Sequence, residues 1–185
     1  MRKLLFILWA TLSFTSCQQD NPQNSHRNPT HNFSVQRLLI INDNNEVLMA
    51  REDHVWAPIS FLYDQRQYLK EGLDSLANAH GIKIHAPELR GQFVFKFDYH
   101  PYATVRNYYI AKYKSGEILV PDPMAEVKWF PMKEAIEKNT VTAIKEISRQ
   151  ILEFPDQVWG ASFLVSHVGD DHPTKMVEAF YPLFD

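Results

Sequence analysis

The sequence has one cysteine, Cys17, among its 185 residues. No disulfide can form within the chain, so the stability of the fold must come from its packed core. The formal net charge is −3, and no concentrated basic face of the kind that nucleic-acid-binding proteins carry is evident. The chain also lacks internal repeats, a Ser-centred nucleophile motif, a Gly-rich phosphate loop and a Cys/His pair. We therefore expect no nucleic-acid partner and none of the chemistries that those motifs support.

Apolar residues are abundant: 45% of the chain is hydrophobic and 13% is aromatic. This composition and length predict one domain with a packed core. We place that domain at residues 33–185. Its last part, from about residue 155, is a C-terminal extension that forms either a terminal hairpin or a strand with a covering tail.

The first residues have the pattern of an export signal. Arg2 and Lys3 precede an apolar run at residues 4–14 that is too short to span a bilayer. Small residues then precede Cys17, which resembles a bacterial lipoprotein signal in which this cysteine is lipidated and becomes the mature N-terminus. Residues 1–16 are therefore predicted to be a signal peptide. The alternative is an ordinary cleaved signal with an incidental cysteine.

The segment after Cys17 is polar. Residues 18–32 contain no aliphatic residue and no Phe, Trp or Tyr, so they cannot offset the entropy of ordering. Residues 17–32 are thus predicted to be a lipidated N-terminus followed by a disordered tether. Gln18 and Gln19 stand where an aspartate marks inner-membrane retention in some bacteria. This favours an outer-membrane lipoprotein of the cell envelope.

A helix between strands is the central element of the predicted domain. Residues 35–41 and 46–50 read as two strands of a hairpin. Residues 67–80 then show apolar residues at helical spacing, namely Leu69, Leu73, Leu76 and Ala77. Gly81 suits the left-handed residue that ends a helix, and His80 before it suits a helix C-terminus electrostatically.

The second half of the domain alternates strands and helices. Two long alternating segments around Pro101 predict an antiparallel pair, and residues 114–116 predict a turn. On the first segment Phe93, Phe95, Phe97 and Tyr99 share one face; this row is either core or a platform for a nucleobase. Residues 126–130 predict a short strand, and residues 132–138 and 141–154 predict helices.

The order of these elements resembles the Nudix hydrolase family over about residues 33–154. The segment VQRLLIINDNNEVLMARE looks like the family's opening hairpin, VWAPISF lies where the family has Trp-x-x-Pro-Gly-Gly, and EVKWFPMKEA looks like its late strand and helix. The resemblance implies an α/β fold, an α/β/α sandwich around a mixed β-sheet.

The family signature is G-x5-E-x7-R-E-U-x-E-E-x-G-U, where U is aliphatic. Aligned on Gly81 and Ile82, its aliphatic position falls on Leu76, but its charged positions are lost. The Arg-Glu pair falls on Asp74 and Ser75, and the Glu-Glu pair falls on Asn78 and Ala79. The earlier Glu falls on Arg66 and the first Gly on Ser60.

These losses bear on the metal chemistry that the resemblance implies. Magnesium prefers hard oxygen ligands, usually carboxylates together with substrate phosphate. No residue is assigned a catalytic role. The candidate carboxylates for a relocated magnesium site are Glu71 and Asp74, with Asn78 next in the row and Glu126 across the cleft. The alternative is a solvated polar helix face.

The sequence therefore favours an envelope lipoprotein with a Nudix-like fold and no metal-dependent hydrolysis. It would act as a module that binds a small ligand or a protein. Two other hypotheses stay open. One is a divergent Nudix hydrolase that uses magnesium to cleave a nucleoside diphosphate-linked or other pyrophosphate substrate. The other is a purely structural envelope protein.

Overall fold

The computed structural model describes residues 33–63, 68–169 and 171–184. The predicted signal peptide, Cys17, the tether and Arg66 lie outside these residues. The described strands are β1 (Ser34–Ile41), β2 (Glu46–Glu52), β3 (Val55–Ala57), β4 (Ser60–Tyr63), β5 (Ile82–Ile84), β6 (Glu88–Phe97), β7 (Thr104–Gly116), β8 (Glu126–Pro131), β9 (Trp159–Val165) and β10 (Thr174–Pro182). The described helices are α1 (Leu69–Ala79), α2 (Met132–Lys138) and α3 (Thr142–Glu153).

Strand β1 lies in the middle of a mixed sheet. It pairs in parallel with β7 along its whole length and antiparallel with β4 at its start. At its end it pairs with β2 through Ile41 and Val47, across a turn in which Asn45 has a φ of 60°. Both faces of β1 are covered, which explains its near-continuous apolar run. The predicted hairpin is confirmed.

The strands follow the order β10-β9-β6-β7-β1-β2-β3, with β4, β5 and β8 attached to β1, β7 and β2. The long antiparallel pair predicted around Pro101 is β6 with β7. The C-terminal extension forms a hairpin, in which β9 also pairs in parallel with β6. Of the two predicted arrangements for the extension, the hairpin is therefore confirmed.

The helices pack on opposite faces of the sheet. Ile147 and Ile151 of α3 are fully buried in one apolar cluster, whereas Leu73 and Ala77 of α1 belong to a second. Burial of each large aliphatic side chain stabilises the fold by about 1.5–3 kcal/mol. The apolar stripes on these helices, seen in the sequence, thus produce an α/β/α sandwich.

Helix α1 covers Leu69–Ala79 of the predicted range 67–80 and ends before the predicted Gly81. Glu71 Oε2 accepts a hydrogen bond of 3.3 Å from the backbone N–H of Tyr68, which satisfies a donor left free at the helix start. At the other end Gly81 has a φ of +76°, and a Cβ there would lie 2.0 Å from the carbonyl oxygen of Glu117. Ile82 follows and is 1% exposed. Glycine is therefore required at this helix end.

The predicted turn at residues 114–116 is wrong. These residues continue β7 and pair with β5, with Ile82 opposite Gly116. Gly116 has a φ of +118°, and a Cβ at this residue would lie 2.1 Å from the carbonyl oxygen of Gly81. The two glycines allow the backbones of β7 and of the Gly81 turn after α1 to approach closely. Ser115 and Gly116 therefore end a strand and do not reverse the chain.

The aromatic row of β6 is mostly core. Phe93 and Phe95 are 0% and 1% exposed, and Phe95 stacks on Phe163 with 5.0 Å between ring centroids. Tyr99 lies beyond the end of the strand and is 46% exposed. The core interpretation is confirmed for the two buried rings. None of the helices in the described ranges is long and apolar enough to cross a membrane.

Candidate functional site

One side of α1 carries three polar residues four positions apart: Lys70, Asp74 and Asn78. This spacing places them in a row along the helix. The Lys70 Nζ lies 2.8 Å from Asp74 Oδ2. The hydrogen bond and charge of Asp74 raise the pKa of Lys70. Asp74 is therefore already paired with a cation of its own helix.

Two further lysines face the same space. Residues of α1, β5, β7 and the segment after β5 line a pocket of about 370 Å³, called here the lysine pocket: Lys70, Asp74, Asn78, Lys83, Ile84, Ala86 and Lys114. The pairing of Lys83 with Ser115 brings β5 and the end of β7 together beside the helix. The lining thus contains three lysines and one carboxylate, so its formal charge is positive.

The three candidate metal ligands each interact with different residues of the protein. The carboxylate of Glu71 accepts the hydrogen bond from Tyr68 described above, and Asp74 pairs with Lys70. Glu126 on β8 pairs with Arg51 and Lys128; the hydrogen bond from Lys128, followed by that from Arg51, lowers its pKa. Each of these carboxylates therefore has another partner.

The signature positions contribute few metal donors. Ser75 and Ala79 are exposed on α1, Asn78 lines the lysine pocket, and Ser60 lies at the start of β4. Within the described ranges, no group of three or more His, Cys, Asp or Glu side chains is arranged to hold a metal ion. A pocket with three lysines and one paired aspartate does not fit a magnesium ion, which prefers several anionic oxygens.

A second pocket lies beside the predicted Trp-Pro loop. Trp56 anchors this loop by packing edge-on against Phe130, with ring centroids 5.1 Å apart. Arg37 of β1 donates a 2.6 Å hydrogen bond to the carbonyl oxygen of Pro58. The resulting cavity of about 340 Å³, called the loop pocket, is lined by Arg37, Ala50, Glu52, Asp53, Val55, Ala57, Pro58, Ile59, Ser60, Met124 and Ile144.

A larger cavity of about 540 Å³ lies beside the β1–β2 turn. Its lining mixes cations and anions, among them His85, Arg90 and Lys112 with Asp43 and Asp156. Because its lining includes charges of both signs, this cavity has no clear electrostatic preference. No local sequence pattern indicates this cavity, since its residues come from five separate segments.

His80 is buried rather than charged at the helix end. It is 3% exposed, and its Nδ1 lies 2.8 Å from the carbonyl oxygen of Leu76. Burial lowers its pKa, although the hydrogen bond with Leu76 opposes this effect. The electrostatic role expected of His80 as a cation is therefore wrong: the imidazole is neutral and packs under the Gly81 turn.

Three other histidines, His54, His85 and His100, lie in different parts of the fold. His54 lies in the turn between β2 and β3, and His85 lines the cavity of about 540 Å³. His100 stacks on Tyr102 with 3.8 Å between ring centroids.

Comparison with known proteins supports the architecture. No protein-family model matches the sequence, and no curated protein matches it. Among solved structures, a MutT protein from Bacillus halodurans is similar with a TM-score of 0.61 and 17% identity, over 79% of this chain and 98% of that one. A MutT protein from Methanosarcina mazei Go1 is similar with a TM-score of 0.52 and 16% identity, over 67% of this chain and 94% of that one.

A third similar structure is the dihydroneopterin triphosphate pyrophosphohydrolase of E. coli. Its TM-score is 0.51 at 11% identity, over 65% of this chain and 94% of that one. At these identities the likeness concerns the fold. The chain therefore has the fold of Nudix hydrolases, as the sequence predicts.

Sequence reasoning missed the lysines of the pocket. Lys83 and Lys114 are far apart in the chain, and neither belongs to the helical signature. Only the pairing of β5 with β7 brings them beside α1. The available signal was Lys70, four residues before Asp74, a spacing that predicts an ion pair on a helix.

Proposed function

We propose that this Nudix-fold protein binds an anionic small ligand in the lysine pocket, without metal-dependent hydrolysis. The observation that carries the proposal is the set of three lysines in a pocket lined by α1, the helix whose signature positions lack the family's carboxylates. Phosphate or pyrophosphate groups are the ligand chemistry that suits these lysines, because an ammonium group binds a phosphate as a point charge.

Charge explains why the pocket prefers an anion to a dication. Lys70 neutralises Asp74, which leaves Lys83 and Lys114 unopposed within the pocket lining. Two unit charges 4 Å apart interact by about 1 kcal/mol in water and more where solvent is partly excluded. A magnesium ion carries two charges and would be repelled by about twice that amount at each lysine, whereas a pyrophosphate oxygen would be attracted.

We also propose that the protein works at the bacterial cell envelope, held to the outer membrane through lipidated Cys17 and a polar tether. The support is the sequence pattern of residues 1–32. Metabolic labelling with an alkyne fatty acid, followed by membrane fractionation, tests this anchor. Label and membrane association should both be lost in Cys17→Ser. A membrane-bound Cys17→Ser protein would contradict the anchor.

The ligand proposal is tested by calorimetric titration of the purified protein with inorganic pyrophosphate in the presence of EDTA. We expect saturable binding that weakens about fivefold in Lys83→Met and again in Lys114→Met, since each change removes one attractive charge. Lys175→Met is the matched control, because Lys175 is exposed on β10 and outside the pocket.

The outcomes separate the candidate functions. Absence of saturable binding in the wild-type protein would contradict the binding module and leave a structural envelope role. Binding that needs magnesium and disappears in Glu71→Gln would instead favour a divergent hydrolase.

A further inference from the structure

Two histidines lie opposite each other at the tip of the hairpin formed by β9 and β10. Val168 and Asp171 are paired at this tip, where each donates its backbone N–H to the carbonyl oxygen of the other, at 3.0 and 3.1 Å. The next residues toward the strands are His167 and His172, which therefore lie directly opposite each other. Both are exposed, and their ring centroids are 5.1 Å apart.

The hydrogen bonding of the hairpin explains why the two rings are close. The backbone N–H of Ser166 donates a 2.9 Å hydrogen bond to the carbonyl oxygen of Pro173. The pairs on both sides of the histidines are thus hydrogen-bonded, which makes His167 and His172 the intervening, non-hydrogen-bonded pair. In antiparallel strands the side chains of such a pair are closer than those of a hydrogen-bonded pair. The backbone therefore holds the two imidazoles side by side.

A tyrosine at the end of the neighbouring strand packs against both imidazoles. β6 and β9 pair in parallel, with Phe97 opposite Val165. Tyr99 and His167 each lie two residues further along, so they are neighbours at the same edge of the sheet. The ring centroid of Tyr99 lies 5.6 Å from that of His167 and 5.9 Å from that of His172. This packing restricts both imidazoles, which lowers the entropy cost of binding a ligand between them.

The ring nitrogens of this pair are available to a ligand from solution. In the described part of the chain, neither His167 nor His172 forms an ion pair or a hydrogen bond through its ring. The neutral imidazole nitrogen is the commonest metal ligand that proteins provide. Imidazole suits copper, nickel and zinc, whereas magnesium prefers oxygen ligands.

The separation of the two rings suits a single metal ion. The zinc–nitrogen distance is about 2.0–2.1 Å, so two imidazoles bound to one tetrahedral ion have ring centroids about 5 Å apart. The 5.1 Å between His167 and His172 agrees with this spacing. Rotation about the side-chain bonds can then direct one nitrogen of each ring at the ion without any movement of the backbone.

We propose that His167 and His172 bind one divalent transition-metal ion, copper(II), nickel(II) or zinc, at the tip of this hairpin. Copper(II) binds tightest of the three, as expected for nitrogen ligands. No third His, Cys, Asp or Glu side chain of the described ranges joins the pair, so water fills the other coordination positions.

This metal site is separate from the features that the chain shares with Nudix hydrolases. It lies in the C-terminal extension, outside the residues whose sequence resembles that family. It also shares no residue with the lysine pocket. The site therefore stands whether or not the lysine pocket binds pyrophosphate.

Calorimetric titration with zinc chloride and, separately, with magnesium chloride tests the site. The full chain carries His26→Gln and His31→Gln, so that the histidines of the predicted tether cannot contribute. We expect about one zinc ion per chain, with binding weakened about tenfold or more by His167→Gln or by His172→Gln, because each change removes one of two ligands. Magnesium should give no saturable binding that depends on these histidines. His54→Gln is the matched control, because His54 is an exposed histidine in another turn.

A spectroscopic measurement needs no substitution in the hairpin. Copper(II) is paramagnetic and broadens the NMR signals of nearby groups. Substoichiometric copper(II) should therefore broaden the imidazole signals of His167 and His172 before that of His54. The proposal is overturned if zinc gives no saturable heat, if either hairpin variant binds zinc as tightly as its parent, or if copper(II) broadens the His54 signal first.

Discussion

Lys70 and Asp74 form an ion pair one turn apart on α1, with 2.8 Å between Nζ and Oδ2. This pair occupies the helix row in which the sequence suggested a relocated magnesium site. Because Lys70 of the same helix pairs with the Asp74 carboxylate, this position offers a metal ion no free carboxylate. With Lys70 and Asp74 paired, Lys83 and Lys114 determine the sign of the charge in the lysine pocket.

Replacing Asp74 by Asn should strengthen anion binding. The change removes the one negative charge in the lysine pocket and releases Lys70, so pyrophosphate affinity should rise about fivefold. If Asp74 were a metal ligand, the same change would instead abolish ligand binding. Calorimetry in EDTA and in magnesium measures the difference. Asp122→Asn serves as control, because Asp122 is exposed in a loop outside the pocket.

Much of this architecture follows from local patterns. The stripe of Leu73 and Ala77 and the glycine at position 81 specify α1 and its end, because helical spacing and a left-handed residue are local properties. The same reasoning failed at Gly116. Its conformation serves a contact with Gly81, thirty-five positions earlier, which no local pattern reveals.

The candidate site was less predictable than the fold. The absence of the signature carboxylates is visible in the sequence, but the cationic pocket beside α1 is not. Lys83 and Lys114 approach α1 only through strand pairing. Arg37 likewise sits in an apolar run, where the sequence gives no reason to expect an unpaired charge.

Stability should depend on pH through His80. Burial lowers the pKa of His80 below its ordinary 6.5, so the unfolded chain binds this proton more readily than the folded one. The contribution is therefore complete above the unfolded pKa and is lost as pH falls from there through the folded pKa. Thermal unfolding between about pH 5 and 8 should show a melting temperature that falls on acidification, because one proton taken up on unfolding lowers the free energy of unfolding by at most about 1.4 kcal/mol per pH unit.

A variant pair isolates this effect. His80→Gln should flatten the dependence between about pH 5 and 6.5, whatever its effect on stability at neutral pH. His85→Gln, which alters an exposed histidine, should retain the slope of the wild-type protein. An unchanged slope in folded His80→Gln would show that another group is responsible.

Gly81→Ala should destabilise the protein without affecting its charge. A side chain at a φ of +76° is strained, and the new Cβ would meet the carbonyl oxygen of Glu117 at 2.0 Å. The expected cost is about 1–3 kcal/mol, read from urea unfolding. Gly169→Ala provides the comparison: its φ of +63° carries the same strain, but no atom lies within 4 Å of its Cβ. Equal costs for the two changes would contradict a role for the Gly81 contact.

The most direct test of metal-independent binding is one paired titration of the wild-type protein. Inorganic pyrophosphate is added in EDTA and, separately, in excess magnesium, and phosphate release is followed in both. We predict saturable binding in EDTA, equal or weaker binding with magnesium because the metal complexes the free ligand, and no release above the buffer rate. Binding and phosphate release that both require magnesium would contradict the account.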